Sequence, residues 1–183
     1  MTLFINACVR ETSRTKELAD CLLSKSGRPY EEVRLDTIDF PFVNESFLEK
    51  RDRLIQEQDF SNPLFNLARQ FDAAEDIIIA APYWDLSFPA SLKQYIEHIN
   101  VLGITFRYTP EGTPLGLCKA KRLTYVMTAG GTLVPEEYGY GYVKTLAQSF
   151  YGIPEVRLIK ATGLDIYGAD VETIMREAEK TIG

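Results

Sequence analysis

Histidine and cysteine, the side chains that most often build metal centres and nucleophilic sites, are scarce in this sequence. Its 183 residues include one histidine and three cysteines. His98 has no second histidine near it, and Cys8, Cys21 and Cys118 are too widely spaced for a CxxC pair. A structural zinc site needs about four clustered nitrogen or sulfur ligands, so no metal is expected. The odd, scattered cysteines read as free thiols of a reducing compartment, which points to the cytoplasm. Basic residues are in the minority, with 20 Lys and Arg against 26 Asp and Glu and a net charge of −6. The basic face that grips a nucleic-acid backbone is therefore not expected. No apolar run approaches the roughly 18 residues of a membrane span, so no membrane partner is expected either. The first residues, MTLFINACVRETSR, lack the basic start of a signal peptide.

What remains is the composition of a globular protein, 45% apolar and 25% charged. At this length a core can be buried without a disulfide or metal staple. We read residues 1–183 as one domain, with no repeat, low-complexity tract or linker.

Hydrophobic patterning gives the elements. Leu3-Phe4-Ile5 opens a buried strand. Leu18, Ala19, Leu22 and Leu23 recur at helical spacing over 13–26. Ser13 or Thr12 can cap that helix, and Gly27-Arg28-Pro29 ends it. Residues 30–36 alternate as a second strand, and 37–61 form an elaborated, charged connection with room for short helices. A helix over 62–71 leads to the clearest strand, 76–81, whose continuous apolar run suits a position buried on both faces. A helix over 89–100, a Gly- and Pro-rich loop over 103–118, a strand over 122–127 and a helix over 143–151 follow. The chain closes with a strand over 156–159 and a helix over 169–182. Strand and helix alternate about five times, which predicts an α/β fold with a parallel sheet and helices on both faces.

Ligands of an open parallel sheet bind beyond the carboxyl ends of its strands. Three such ends carry unusual residues. The first, 6–15, leads into a helix N-terminus whose unpaired amides favour an anion, with Ser13 and Thr15 hydroxyls and the cations Arg10 and Arg14 beside them. It contains no glycine, so it is neither a P-loop nor a GxGxxG turn; a plain helix cap is the competing reading. The second, Pro82-Tyr83-Trp84-Asp85-Leu86, sets two rings at a central strand end, suited to flank a flat ligand or to pack inside. The third, Thr128-Ala129-Gly130-Gly131, offers backbone amides with little side-chain cover, as does any tight turn.

Three stretches carry a resemblance: IIIAAPYWDLSFPASLKQY (77–95), GITFRYTPEG (103–112) and TAGG (128–131). The sequence resembles the flavodoxin-like FMN-dependent NAD(P)H oxidoreductases, the quinone reductase and azoreductase group, over residues 1–162. The resemblance implies a three-layer flavodoxin-like fold with five parallel strands in the order 2-1-3-4-5. It implies that Ser13, Arg14 and Thr15, with Arg10 nearby, hold the FMN phosphate. Pro82, Tyr83, Trp84, Asp85 and Leu86 would line the ribityl chain and ring, and Thr128, Ala129, Gly130 and Gly131 would meet the ring's polar edge. It further implies NADH or NADPH as donor, ping-pong hydride transfer through the flavin N5, and a quinone or azo acceptor. A homodimer would complete the site, with Phe106, Tyr108 and Tyr140 as walls of the substrate slot and Tyr138 and Tyr142 beside them. No side-chain nucleophile is needed.

Two positions depart from the family pattern: Asp85 replaces an asparagine, and Thr132-Leu133 replaces a histidine after the GG pair. His98 reads as a surface residue at a helix C-terminus, and Cys8 as a buried, inert thiol. A one-electron carrier of the flavodoxin type, or a flavin-binding sensor without turnover, remain the alternatives.

Overall fold

The computed structural model describes residues 1–182. Its chain order is β1 (Thr2–Asn6), α1 (Arg14–Ser26), β2 (Tyr30–Arg34), α2 (Glu45–Gln56), α3 (Asn66–Ala73), β3 (Asp76–Ala80), α4 (Ala90–Ile99), β4 (Phe106–Tyr108), β5 (Pro114–Gly116), β6 (Arg122–Thr128), α5 (Tyr140–Ser149), β7 (Glu155–Ala161) and α6 (Val171–Lys180). Five strands form one sheet in the order β2-β1-β3-β6-β7. Every pairing in it is parallel, with Ile5 opposite Val33 and Ile79, and Ile79 opposite Tyr125. Counted without the small β4–β5 pair, this is the expected order.

Strand side chains alternate between two cores, as the two-residue period requires. Leu3, Ile5, Ile77, Ile79, Leu123 and Tyr125 point to one side, where α3, α4 and α5 pack. Phe4, Ile78, Val126 and Ile159 point to the other, against Leu18, Leu23 and Met175 of α1 and α6. Helices thus cover both faces. Sequence order in the centre reflects this double burial: Ile77, Ile78 and Ile79 are all buried. The edge strand β2 is different, with Tyr30, Glu31 and Glu32 exposed and charge guarding an open edge.

Some boundaries move. The charged connection after β2 contains a full helix, α2, capped by the Asn44 side chain accepting from the Phe47 amide. The loop over 103–118 folds as an antiparallel hairpin, β4 with β5. Its turn closes through Thr109 N–H to Thr113 O at 2.8 Å and Gly112 N–H to Thr109 O at 2.9 Å, with Gly112 at φ +81. Helix α5 begins at Tyr140, three residues before its apolar face becomes regular.

His98 is not a surface residue. Its ring lies in the last turn of α4 at 7% exposure, against Phe40 at 5.1 Å and Phe47 at 5.3 Å between centroids. Nδ1 contacts the Gln94 carbonyl at 2.8 Å. The elaborated segment 37–56 supplies the two phenyl rings that cover it. Cys8, Cys21 and Cys118 are free thiols. Among the described residues no group of three His, Cys, Asp or Glu side chains is placed to hold a metal, and no helix is long and apolar enough to cross a membrane.

Candidate functional site

The carboxyl ends of β1, β3 and β6 meet around a basin of about 410 Å³. That volume falls within the ~300–1,000 Å³ of small-ligand sites. Arg10, Ser13, Arg14 and Thr15 line it from the first strand end, Pro82, Tyr83 and Trp84 from the second, and Thr128, Ala129 and Gly130 from the third.

The first wall is a helix start built by its cap. Ser13 is extended at φ −85, ψ 118, and its Oγ accepts from the Lys16 amide at 3.3 Å. The amides of Arg14 and Thr15, in the first turn, have no carbonyl four residues back within the helix. They and the helix dipole make this end receptive to an anion. Thr15 takes another role. Its residue is 1% exposed, and its Oγ1 lies 2.6 Å from Oγ1 of Thr128, itself 9% exposed. The two hydroxyls join the first and third strand ends at the basin wall.

The aromatic wall is held from behind. Tyr83 donates its amide to Thr128 O at 2.9 Å and its phenol to Pro135 O at 3.1 Å. Burial and the neighbouring Glu137 carboxylate raise the Tyr83 phenol pKa, so the hydroxyl stays a donor. Trp84 and Ser87 exchange backbone hydrogen bonds at 3.1 and 2.7 Å. Between them Asp85 (φ +50) and Leu86 (φ +66) are both left-handed, the pattern of a type I′ turn. Such a conformation costs about 1–2 kcal/mol in a residue other than glycine. The turn holds Trp84 at the rim, while Asp85 and Leu86 stand at its exposed tip, outside the basin lining.

With that geometry in view, comparison with known proteins is decisive. The model of a family described as having the flavodoxin-like fold matches residues 1–183. The chain belongs to this family. An FMN-dependent NADH:quinone oxidoreductase of Clostridium perfringens is 36% identical over 98% of this chain and 95% of its own length. A protein of the same name from Lachnoclostridium phytofermentans is 35% identical over 99% of this chain and 95% of its own. Among solved structures, an azoreductase from Bacillus anthracis superposes with a TM-score of 0.85 at 24% identity, covering 99% of this chain and 95% of that one. An FMN-dependent NADH-azoreductase of the same organism, in complex with FMN, superposes at 0.82 and 23% identity, covering 99% and 94%. These structural likenesses concern the fold.

Membership in the family does not bring every candidate residue to the basin. Gly131 lies beside it, with open space where a Cβ would project. Tyr140 stands apart: its ring packs 6.1 Å from that of Tyr125, and its hydroxyl donates to Val156 O at 3.2 Å. It is turned into the protein by β7 and does not line the basin. Phe106 is buried against Phe150, with centroids 5.3 Å apart, and Tyr108 is half exposed on the hairpin; neither lines this chain's basin. Tyr142 packs against Phe88, and Tyr138 is exposed.

A fourth strand end was not foreseen. After β7, Gly163, Leu164 and Asp165 donate their amides to Gly131 O, Ala129 O and Gly130 O at 2.9, 3.2 and 2.9 Å. Leu164 and Asp165 line the basin, and Asp165 Oδ1 accepts from Arg14 Nη1 at 2.8 Å. The only local sign was a glycine closing the last strand. Cys8 is buried near the basin floor, and burial raises its thiol pKa, in keeping with an inert thiol. At the opposite edge of the sheet, Arg28 and Arg122 both pair with Asp76, which ties β3 to β6 and to the turn after α1.

Proposed function

We propose that this chain is an FMN-dependent NADH:quinone oxidoreductase that also accepts azo compounds. The observation that carries the reading is the basin itself. One polar end has first-turn amides, the Ser13 hydroxyl, Arg10 and Arg14; its other walls are the Tyr83–Trp84 pair and the Thr128–Gly130 strand end, with Gly131 open beside it. A phosphate monoester suits the first, a flat heteroaromatic ring the second, and close backbone approach the third. Full-length relatives at 36% identity bear the same activity in their names, which supports the assignment.

In this reading Arg10, Ser13 and Arg14 hold the FMN phosphate, and Pro82, Tyr83 and Trp84 wall the ribityl chain and the ring. Thr128, Ala129, Gly130 and Gly131 face the polar edge, where backbone amides favour added negative charge. FMN held there would supply the redox chemistry between NAD(P)H and a flat acceptor, which we read as two-electron, ping-pong hydride transfer through N5. The chain's own residues position the ring and keep one face dry. The Pro135 carbonyl on the Tyr83 hydroxyl and the 84–87 turn keep both aromatic side chains in place. Asp85, at the turn tip, keeps its carboxylate away from the ring.

We further read residues 1–183 as one domain acting as a cytoplasmic homodimer. Exposed apolar side chains on the basin rim and hairpin, among them Leu86, Tyr108, Leu115 and Leu133, support a second subunit there. Phe106 and Tyr108 would then wall the slot of the opposite subunit. The three free thiols agree with a reducing compartment.

The visible spectrum of the purified protein tests this. Flavin bands should be present or appear with added FMN, bleach with NADH alone and return with a quinone. Colour that NADH does not bleach would favour a one-electron carrier, and failure to take up FMN in excess would overturn the reading. Trp84, the single tryptophan, should lose fluorescence as FMN binds.

A further inference from the structure

Three charged side chains line the basin: Arg10, Arg14 and Asp165. A carboxylate at a site read as a phosphate cradle needs an account. Asp165 is not a bystander. Its Oδ1 accepts from Arg14 Nη1 at 2.8 Å, its amide donates to Gly130 O at 2.9 Å, and the Leu164 carbonyl lies 3.5 Å from the same guanidinium nitrogen. Its Oδ2 occupies the space above Gly130, where a Cβ would come within 2.2 Å. The carboxylate therefore stands over the third strand end while holding the cation of the first.

The contact is single-pronged, from one guanidinium nitrogen to one carboxylate oxygen. Arg14 keeps the rest of its donor fork for a second anion. What Asp165 withdraws is charge. Two cations minus one carboxylate leave the lining at about +1, against the ~1.5–2 negative charges of a phosphate monoester near neutral pH. Both side chains of the pair are substantially exposed, at 42% for Arg14 and 72% for Asp165, so the pair loosens at little cost.

We propose that Asp165 is a charge brake on the phosphate end of the cofactor site. It competes with the phosphate for Arg14 and lowers affinity for the phosphorylated flavin more than affinity for the ring alone. The cofactor is thereby held exchangeably. The inference rests on the FMN reading above and adds a residue that sets phosphate selectivity by opposing it.

The test compares FMN with riboflavin, which share the ring and differ in the phosphate. Flavin-free full-length protein is titrated with each, following flavin and Trp84 fluorescence at low and at high salt. Asp165→Asn keeps an acceptor for Arg14 and removes the charge; Asp165→Ser is a second uncharged variant. Both should bind FMN about three- to tenfold more tightly at low salt, the scale of one solvent-exposed charge acting on another. Riboflavin affinity should stay within about twofold, and the FMN gain should shrink in high salt. Unchanged or weakened FMN binding in both variants, with a wild type that binds FMN, overturns the brake and leaves the FMN reading standing. Equal tightening of riboflavin also overturns it. A wild-type chain that binds neither flavin overturns both.

Discussion

The hydroxyl pair at the basin wall gives the sharpest test of the site's construction. Thr15 and Thr128 lie 2.6 Å apart and buried, one in the first turn of α1 and the other at the end of β6. Thr15→Val removes one hydroxyl and leaves the other in a dry place, at a cost of about 1–3 kcal/mol. Thr128→Val does the same from the other side. The double variant replaces both by shapes of equal size and leaves nothing unpaired, so its cost should fall below about 1 kcal/mol. With each single near 2 kcal/mol, the double then falls short of their sum by about 3 kcal/mol, a coupling expected of direct contact. Chemical denaturation of the four proteins measures this. In a chain of this size each kcal/mol moves the melting temperature by about 2–4 °C, so thermal melts should rank the variants in the same order. Additive losses would refute the pairing. The same variants separate support from ligand contact. Thr15→Val should leave FMN affinity within about twofold, because the Thr15 hydroxyl is already engaged with that of Thr128. Ser13→Ala should weaken FMN binding by losing both the cap and a donor. A tenfold loss of FMN binding in folded Thr15→Val would refute this account of the site.

Gly116→Ala should loosen the hairpin, because a Cβ there would lie 2.1 Å from Gly152 N and from the Tyr151 carbonyl carbon, both backbone. We expect a loss of about 2 kcal/mol or more. We also expect faster reaction of the Cys118 thiol, whose pKa burial pushes up to about 12; an unchanged thiol rate would count against the packing. Tyr95→Phe should stabilise by about 1 kcal/mol, since the fully buried Tyr95 hydroxyl has no partner, and burial, with the neighbouring Cys118, drives its pKa up. A destabilised variant would reveal a partner. Asp170 caps α6, accepting from the Thr173 amide at 3.1 Å and hydroxyl at 2.7 Å, and these bonds hold its pKa below the ordinary value. A pKa lowered on folding stabilises above the unfolded value and ceases to do so as pH falls through the folded one. The gap in urea midpoint between wild type and Asp170→Ala should be full at neutral pH and close as pH falls below the ordinary aspartate value; a gap that persists in acid would contradict the charge assignment.

Legibility in the sequence followed the range of the interactions. β3 was plain because Ile77, Ile78 and Ile79 are apolar on both faces. The hairpin was hidden because strands of three residues show no period, and its turn reads like any loop. α2 was obscured by its charge, since only Leu54 of its residues is fully buried. His98 misled because its helix position favours a surface cation, while its cover comes from Phe40 and Phe47, far back in the chain. The Tyr140 ring, set among interleaved glycines in the sequence, is placed by the helix that begins with it, which turns the ring onto Tyr125.

From its own order of residues the chain determined the alternation of strands and helices, the cap at Ser13, and the concentration of polar, aromatic and small side chains at strand ends. Periodicity, capping and turn chemistry act over a few neighbouring positions, so they can be read along a line. Folding alone decided which groups face the basin. Thr15 pairs its hydroxyl with one 113 positions away, and Arg14 meets a carboxylate 151 positions away. Neither partner leaves a trace near the residue it engages, because such contacts exist only once parallel strands have brought their ends to one edge.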